Sequence, residues 1–345
     1  MLSAPIAAET LRIATYNAEL SRQGPGLLLR DILTGTDPKI IAAQQVIAAL
    51  DADILVLIAF DYDYDSIALG IFADQLAVAG HPYPHRFALL PNTGMPTGLD
   101  LDANGYLGDA RDAQGFGRFA GQAGIAILSR LPIKSENARN FNTFLWRDLP
   151  GANLPDTIPP DVLAVQRLST TAHFEVPITL PNGTDLHLLT WYATPPIFDG
   201  PEDRNGKRNH DEAVFWAHLI DGKLPFPAPQ APFILLGDAN LDPVDGDGLI
   251  DGIKTLLTHP ALQDPSPRGT HGLADAKHGG DPALDTADYT AKDGPGRLRV
   301  DYVLPAATLE VTASGVLWPP ESDPFAATLE TASRHHPVWV DITFP

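Results

Sequence analysis

The sequence predicts an α/β fold, and three observations carry that prediction. Apolar runs of strand length recur from residue 11 to residue 343, segments with helical spacing lie between them, and no polar gap divides the 345-residue chain. The 33 prolines and 29 glycines are spread along the whole length, as many connections between short elements require. Length alone allows two average domains or one large layered one. The unbroken interleaving argues for a single domain over 1–345, with a Gly/Asp-rich insertion at about 92–124.

Taken in order, Leu11 to Asn17 alternates apolar and polar residues and reads as a strand that delivers Asn17 at its end. Ile40, Ile41, Ala43, Val46, Ile47 and Leu50 recur at helical spacing and predict a helix over 39–50. Asp53 to Phe60 is a second, buried strand running into Asp61-Tyr62-Asp63-Tyr64-Asp65, and a helix is predicted over 67–79. Further strands are predicted over 124–133, 171–177, 186–192, 233–236, 299–304 and 338–343, with an amphipathic helix over 209–220. His210, Asp211 and Glu212 resemble a metal cluster, but adjacent helical residues do not share a face, so they read as a helix start.

Composition narrows the partners. Hydrophobic residues at 44% and aromatics at 8% supply a full core. A formal charge of −20 repels a phosphate backbone, whose binders draw affinity from basic residues that displace counterions, so nucleic acid is disfavoured. Zero cysteines exclude disulfides, thiolate zinc sites and a thiol nucleophile. No apolar run approaches the roughly 20 residues that cross a bilayer. A soluble monomer without a membrane partner is expected. The start of the chain lacks the basic end and apolar stretch of a signal peptide, although Ala4-Pro5-Ile6-Ala7-Ala8-Glu9 reads as a remnant left by cleavage of one.

Two stretches carry candidate chemistry. In Phe233 to Gly248, a buried strand breaks at Gly237 into a loop where Asp238 and Asn240 emerge together. An acceptor-only carboxylate beside a two-sided amide suits a hard cation or a phosphoryl oxygen, and equally an Asx turn that satisfies backbone donors. In the insertion, Asp100-Leu101-Asp102-Ala103-Asn104-Gly105 matches the opening of a calcium loop of the EF-hand type, making Asp100, Asp102 and Asn104 candidate ligands for a structural calcium. Its twelfth position is Arg111, where a bidentate Glu is wanted.

RIATYNAEL, DILVLIAFDYD, GQAGIAILSRLPI, LHLLTWYATPP, FILLGDANLDP, RVDYVLP and SRHHPVWVDI together resemble, in order, the strand-end motifs of the endonuclease/exonuclease/phosphatase superfamily. PPIFDGPEDRNGKRNHDE further resembles a bacterial, often exported branch, which implies secretion or a periplasmic location. The resemblance implies a four-layer sandwich: two mixed β-sheets face to face with helices outside, as in pancreatic deoxyribonuclease. It also implies metal-assisted phosphoester hydrolysis with magnesium or manganese. Asn17 would help hold the metal or its water. Asp238 and Asn240 would align water and phosphate, and Asp301 would orient His335 against the phosphate.

The chain departs from that pattern at three places. Ala59, preceded by Ile58, stands where the superfamily has a metal-binding Glu; Tyr192 stands at a His position; and Arg334 replaces the Asp of a Ser-Asp-His motif. Formal site charge shifts by about three units toward positive, and a unit pair at about 4 Å is worth roughly 4 kcal/mol at an effective dielectric near 20, so Arg334 turned inward opposes a cation. Magnesium or manganese is expected to bind weakly. The expected function is a phosphoesterase scaffold whose hydrolase site is severely impaired and rebuilt, by evolution or by design, into an apolar and aromatic pocket. Ile58, Ala59, Trp191, Tyr192, His173 and Arg334 would line it, and its ligand would be a small molecule or phosphoester. The alternative is an active phosphodiesterase or phosphomonoesterase with an atypical metal site. Trp191 and His173 have a second reading as core residues, and His336 is expected to be structural beside Pro337.

Overall fold

A strand covered on both faces must be apolar at odd and even positions alike, and Ile54–Phe60, Gly124–Ser129 and Phe233–Asp238 are buried at every residue. The computed structural model describes residues 9–102, 104–291 and 294–344. Residues 4–8 of the suggested cleavage remnant lie outside the described residues. In chain order the elements are β1 (Glu9–Asn17), α1 (Leu27–Thr34), α2 (Pro38–Leu50), β2 (Ile54–Phe60), α3 (Ile67–Val78), β3 (His85–Ala88), β4 (Gly124–Ser129), β5 (Arg139–Asn140) and α4 (Pro160–Val165). There follow β6 (Ala172–Thr179), β7 (Asp185–Tyr192), α5 (Arg204–Ile220), β8 (Phe233–Asp238), α6 (Asp251–Leu257), β9 (Ala287–Tyr289), β10 (Gly296–Leu298), β11 (Asp301–Pro305), β12 (Glu310–Val316), α7 (Ala326–Ala332) and β13 (Val338–Phe344).

A six-stranded sheet, β12-β13-β1-β2-β4-β3, faces a five-stranded one, β11-β8-β7-β6-β5, and β9 and β10 form a separate ribbon. Side-chain alternation assigns the layers. Ile13, Val56, Ile127 and Val340 from the first sheet meet Phe174, Leu188, Ile234 and Leu236 from the second in the inter-sheet core. The outer face of the six-stranded sheet, with Tyr16, Leu55 and Leu57, packs on α1, α2, α3 and α7. The outer face of the five-stranded sheet, with Leu189, Trp191 and Leu235, packs on α5 and α6. The result is the expected sandwich of helices, sheet, sheet and helices.

Helix α2 starts where Asp37 accepts a hydrogen bond from Ile40 N at 3.0 Å and Pro38 needs no donor partner. The strand and helix expectations are met with ends shifted by a few residues, apart from α5. That helix begins at Arg204, so His210 to Glu212 lie in its second turn rather than at its start. Asp211 and Glu212 are buried there as acceptors, Asp211 for Trp146 Nε1 and Asn153 N, Glu212 for Thr170 and Thr194.

Candidate active site

Register builds most of the site. On the five-stranded sheet Tyr192, Asp238 and Asp301 pair as direct neighbours on β7, β8 and β11, so all three point the same way, toward the space between the sheets. Gly237 permits this row: its φ is +147°, and a Cβ there would lie 2.0 Å from the Trp191 carbonyl oxygen. From the facing sheet, β1 delivers Asn17 at its last residue, and the segment entering β13 delivers His335. Asn17 Nδ2 donates to Asp238 Oδ2 at 2.8 Å and lies 3.4 Å from His335 Nε2. His335 Nδ1 is 2.8 Å from Asp301 Oδ2. Asp238, Asp301 and His335 are 0%, 1% and 3% exposed, so the charges interact with little screening.

That burial sets the protonation pattern. Loss of solvent and the neighbouring Asp301 charge push the Asp238 carboxyl up to about 7, against the opposing pull of His335 and Asn17. Burial disfavours the His335 imidazolium, but the Asp301 charge and hydrogen bond, with Asp238 and Glu19, outweigh it and raise His335 to about 9. Tyr192, beside Asn17, is held protonated by burial and by Asp238. Asp301 Oδ1 is buried with no partner among the described residues, which leaves one acceptor free for water or a ligand.

Two participants carried no recognised sequence signal. Glu19 follows Asn17 by two residues and its carboxylate binds Arg334 Nε at 2.8 Å and Lys39 Nζ at 3.1 Å. Burial would raise its pKa, yet His335, Arg334 and Lys39 bring it down to about 2. Tyr289, at the end of β9, places its hydroxyl 2.9 Å from His335 Nε2, and the Arg334 guanidinium lies 5.2 Å over its ring. A carboxylate two residues past Asn17 was in plain view and could have been noticed. Nothing in the periodicity around Tyr289 points to His335.

Several expected lining residues are elsewhere. Trp191 is one residue out of phase with Tyr192, so it faces the helices and is 1% exposed. His173 shares that outer face, stacked on Trp216 at 5.2 Å with its pKa lowered to about 4 by burial. Ile58 packs in the inter-sheet core. These three are corrected from lining to core. Ala59 sits in a β-bulge between Ile58 and Phe60 at φ +58°, a conformation that costs a non-glycine residue energy, so the irregular backbone of this strand end persists without a ligating side chain. Asn240 donates its backbone N–H to Asp238 Oδ1 at 2.8 Å and its side-chain amide to the Ala193 carbonyl at 2.9 Å, which ties it to the strand rather than to open space. Arg334 is largely exposed and pairs with Glu19, so a carboxylate outside positions 59, 192 and 334 offsets its charge. His336 stacks on Trp318 at 3.7 Å, as a structural residue would.

The donor set tests poorly for a resident divalent cation. Asp238, Asp301 and His335 offer ligand atoms within 4.8 Å of one another, as a metal cluster would. The side chains there already pair with one another: His335 with Asp301 and Asp238, and Arg334 and Lys39 with Glu19. Position 59 contributes no donor atom. With those pairs formed and no donor atom at position 59, the residues present are a poor fit for such an ion. In the insertion, Asp100, Asp102 and Asp112 converge within 4.8 Å. Asn104 instead donates to Asp109 at 2.7 Å. Asp112, one residue past Arg111, supplies the third carboxylate.

The sandwich and its row of Asn, Asp, Asp and His at one end of the sheets define a phosphoesterase-like α/β scaffold. The sequence profile of the endonuclease/exonuclease/phosphatase family matches residues 14–335, and the chain belongs to that family. Solved structures with the same fold include an endonuclease/exonuclease/phosphatase from Beutenbergia cavernae, at 19% identity and TM-score 0.56, covering 97% of this chain and 72% of that one. Sphingomyelinase C from Streptomyces griseocarneus is similar at 18% identity and TM-score 0.51, over 96% of this chain and 99% of that one. A mannosyl-6-phosphatase from Bacteroides thetaiotaomicron is similar at 15% identity and TM-score 0.51, over 97% and 100%. No curated protein matches the sequence. Among the described residues, no helix is long and apolar enough to cross a membrane.

Proposed function

We propose that metal-dependent hydrolysis is severely weakened in this chain, and that the site acts on or binds phosphoesters without a resident divalent cation. The observation that carries this reading is the Glu19–Arg334 pair beside a position 59 with no ligand atom. The Glu19 carboxylate at this end of β1 is thus already neutralised by Arg334. Asp238, pushed up to about 7, suits a general base near neutral pH, and the His335–Asp301 pair suits an acid. Arg334 and the hydroxyls of Tyr192 and Tyr289 replace cationic charge by hydrogen-bond donors, which recognise a phosphoryl group well. With Trp191, His173 and Ile58 in the core, the aromatic part of the pocket reduces to these two tyrosines. The alternative of an active enzyme with an atypical metal site makes the opposite prediction about metals.

Calorimetry with magnesium and manganese should show no tight binding at this site. The combined Ala59→Glu, Tyr192→His and Arg334→Asp variant should gain magnesium-dependent hydrolysis of an activated phosphodiester by at least about 100-fold. A parent protein as fast in magnesium as the triple variant would sink the reading. A calcium titration tests the separate loop: binding that disappears in Asp112→Asn would assign a structural calcium there, and no binding to the parent would remove it.

A further inference from the structure

We propose that Tyr289 is the terminal proton donor of the site, extending the Asp301–His335 pair to the leaving oxygen of a bound phosphoester. This rests on the metal-independent reading above. One short segment brackets the pair at both ends: Thr286 Oγ1 donates to Asp301 Oδ2 at 2.9 Å, and three residues later the Tyr289 hydroxyl meets His335 Nε2 at 2.9 Å. The segment is fixed to the chain that carries His335. Ala287 bridges His335, His336 N donates to Thr286 O at 2.7 Å, and Asp288 N donates to Arg334 O at 2.9 Å. The Tyr289 ring stands edge-on to the imidazole at 5.6 Å and 84°, with the Arg334 guanidinium over it. The hydroxyl is thus positioned by two side chains and a backbone ladder rather than by a mobile loop.

Hydrogen-bond bookkeeping then assigns a direction. With His335 charged, Nδ1 donates to Asp301 and Nε2 donates to the phenol oxygen, while the Asn17 amide, 3.4 Å from Nε2, donates to Asp238 instead. The phenol hydrogen is left over, and among the described residues the hydroxyl has no partner besides His335. Burial, with the Asp238 and Asp301 charges, keeps the phenol protonated. In the reaction, water attacks phosphorus and gives its proton to Asp238. The bond from phosphorus to the leaving oxygen breaks, and that oxygen takes its electron pair and the phenol proton. Tyr289 recovers a proton from His335 Nε2. His335 ends neutral with Nδ1–H still on Asp301, and the proton on Asp238 returns to His335 through solvent. The sum is ester plus water giving alcohol plus phosphate.

The test is turnover in EDTA of two phosphomonoesters, p-nitrophenyl phosphate and an alkyl phosphate, by the parent and by Tyr289→Phe. A general acid matters in proportion to how poor the leaving group is. The expected result is a loss of about 100-fold on the alkyl ester and less than about threefold on the nitrophenyl ester. An equal loss on both esters, or no loss, overturns the assignment to Tyr289 while leaving the metal-independent reading intact. A parent inactive on both esters overturns the assignment to Tyr289 and the catalytic half of the metal-independent reading. Should Tyr289→Phe fail to fold, 3,5-difluorotyrosine at 289 keeps shape and changes only acidity. A shift of at least about threefold confined to the alkyl ester supports the proposal, and unchanged rates on both esters overturn it.

Discussion

A charged side chain acts through whatever its partners leave of it, and at this site no ionic group stands alone. Arg334 is bound by Glu19, and His335 lies between Asp301 and Asp238. The histidine offers a direct check. Its pKa is raised from 6.5 to about 9, so its interactions stabilise the fold fully below pH 6.5 and are lost as pH rises through about 9. Asp301→Asn removes the charge at 2.8 Å and should lower the His335 pKa by at least about one unit. Titration of the imidazole ring by NMR reads this, and an unchanged value would mean that Asp238 and Glu19 hold the proton instead.

At the scale of elements, helix α5 clamps the loop that follows β8. Asn209 Nδ2 donates to Thr194 O at 2.6 Å and to Ala239 O at 2.7 Å, tying the ends of β7 and β8 together behind the Tyr192–Asp238 row. Asn209→Leu fills similar volume but leaves the buried Ala239 carbonyl and the part-buried Thr194 carbonyl unpaired, at about 1–3 kcal/mol for the first and less for the second. A loss of about 3 kcal/mol in urea unfolding is expected, with reduced activity because Asp238 is no longer held in register. A variant as stable as the parent would show that the loop is fixed by other contacts. The strands themselves were legible because buried strands are short and apolar. The parity of side chains within them was equally legible: Trp191 and His173 are each one step out of phase with an inward row, and alternation alone excludes them from the site. Helices α1, α4, α6 and α7 and strands β3, β5, β9 and β10 were not expected because each spans eight residues or fewer, too few for a period to stand out, and β12 is mostly exposed and carries no apolar run.

For the whole molecule, opposing buried groups shape stability against pH. Asp238 and Glu212 (each about 7), Asp285 (about 8) and His335 (about 9) have raised values, so each contributes stability that is lost as pH rises from its unfolded value toward its folded one. His173, near 4, and His336, near 3, are depressed by burial and stay neutral in the fold, so their contribution is present above pH 6.5 and lost as pH falls below it. Between about pH 4.5 and 6.5 the two histidines offset only two of the three raised carboxyls, so stability declines gently as pH rises. Urea unfolding across pH 3 to 9 should therefore give a maximum near pH 4.5–5, a shallow decline to pH 6.5 and steeper losses above it and below about pH 4, by up to about 1.4 kcal/mol per pH unit for each fully buried group and less for the partly screened Asp285. His336→Phe keeps an aromatic ring against Trp318 and should flatten the acid side. An acid limb as steep as the parent's would assign the loss to other groups.

By itself the sequence determined the layered architecture, the family resemblance and the strand ends that carry Asn17, Asp238, Asp301 and His335. Strand burial and alternation are local regularities written directly into residue order. Only the tertiary structure decided that Glu19 neutralises Arg334, that Asp112 completes the acidic loop, and that Tyr289 closes on His335. The last of these contacts joins residues 46 apart in the chain, Tyr289 at the end of β9 and His335 in the segment that leads into β13. Such a contact is set by how the sheets and loops come together in space, and residue order carries no periodic trace of it.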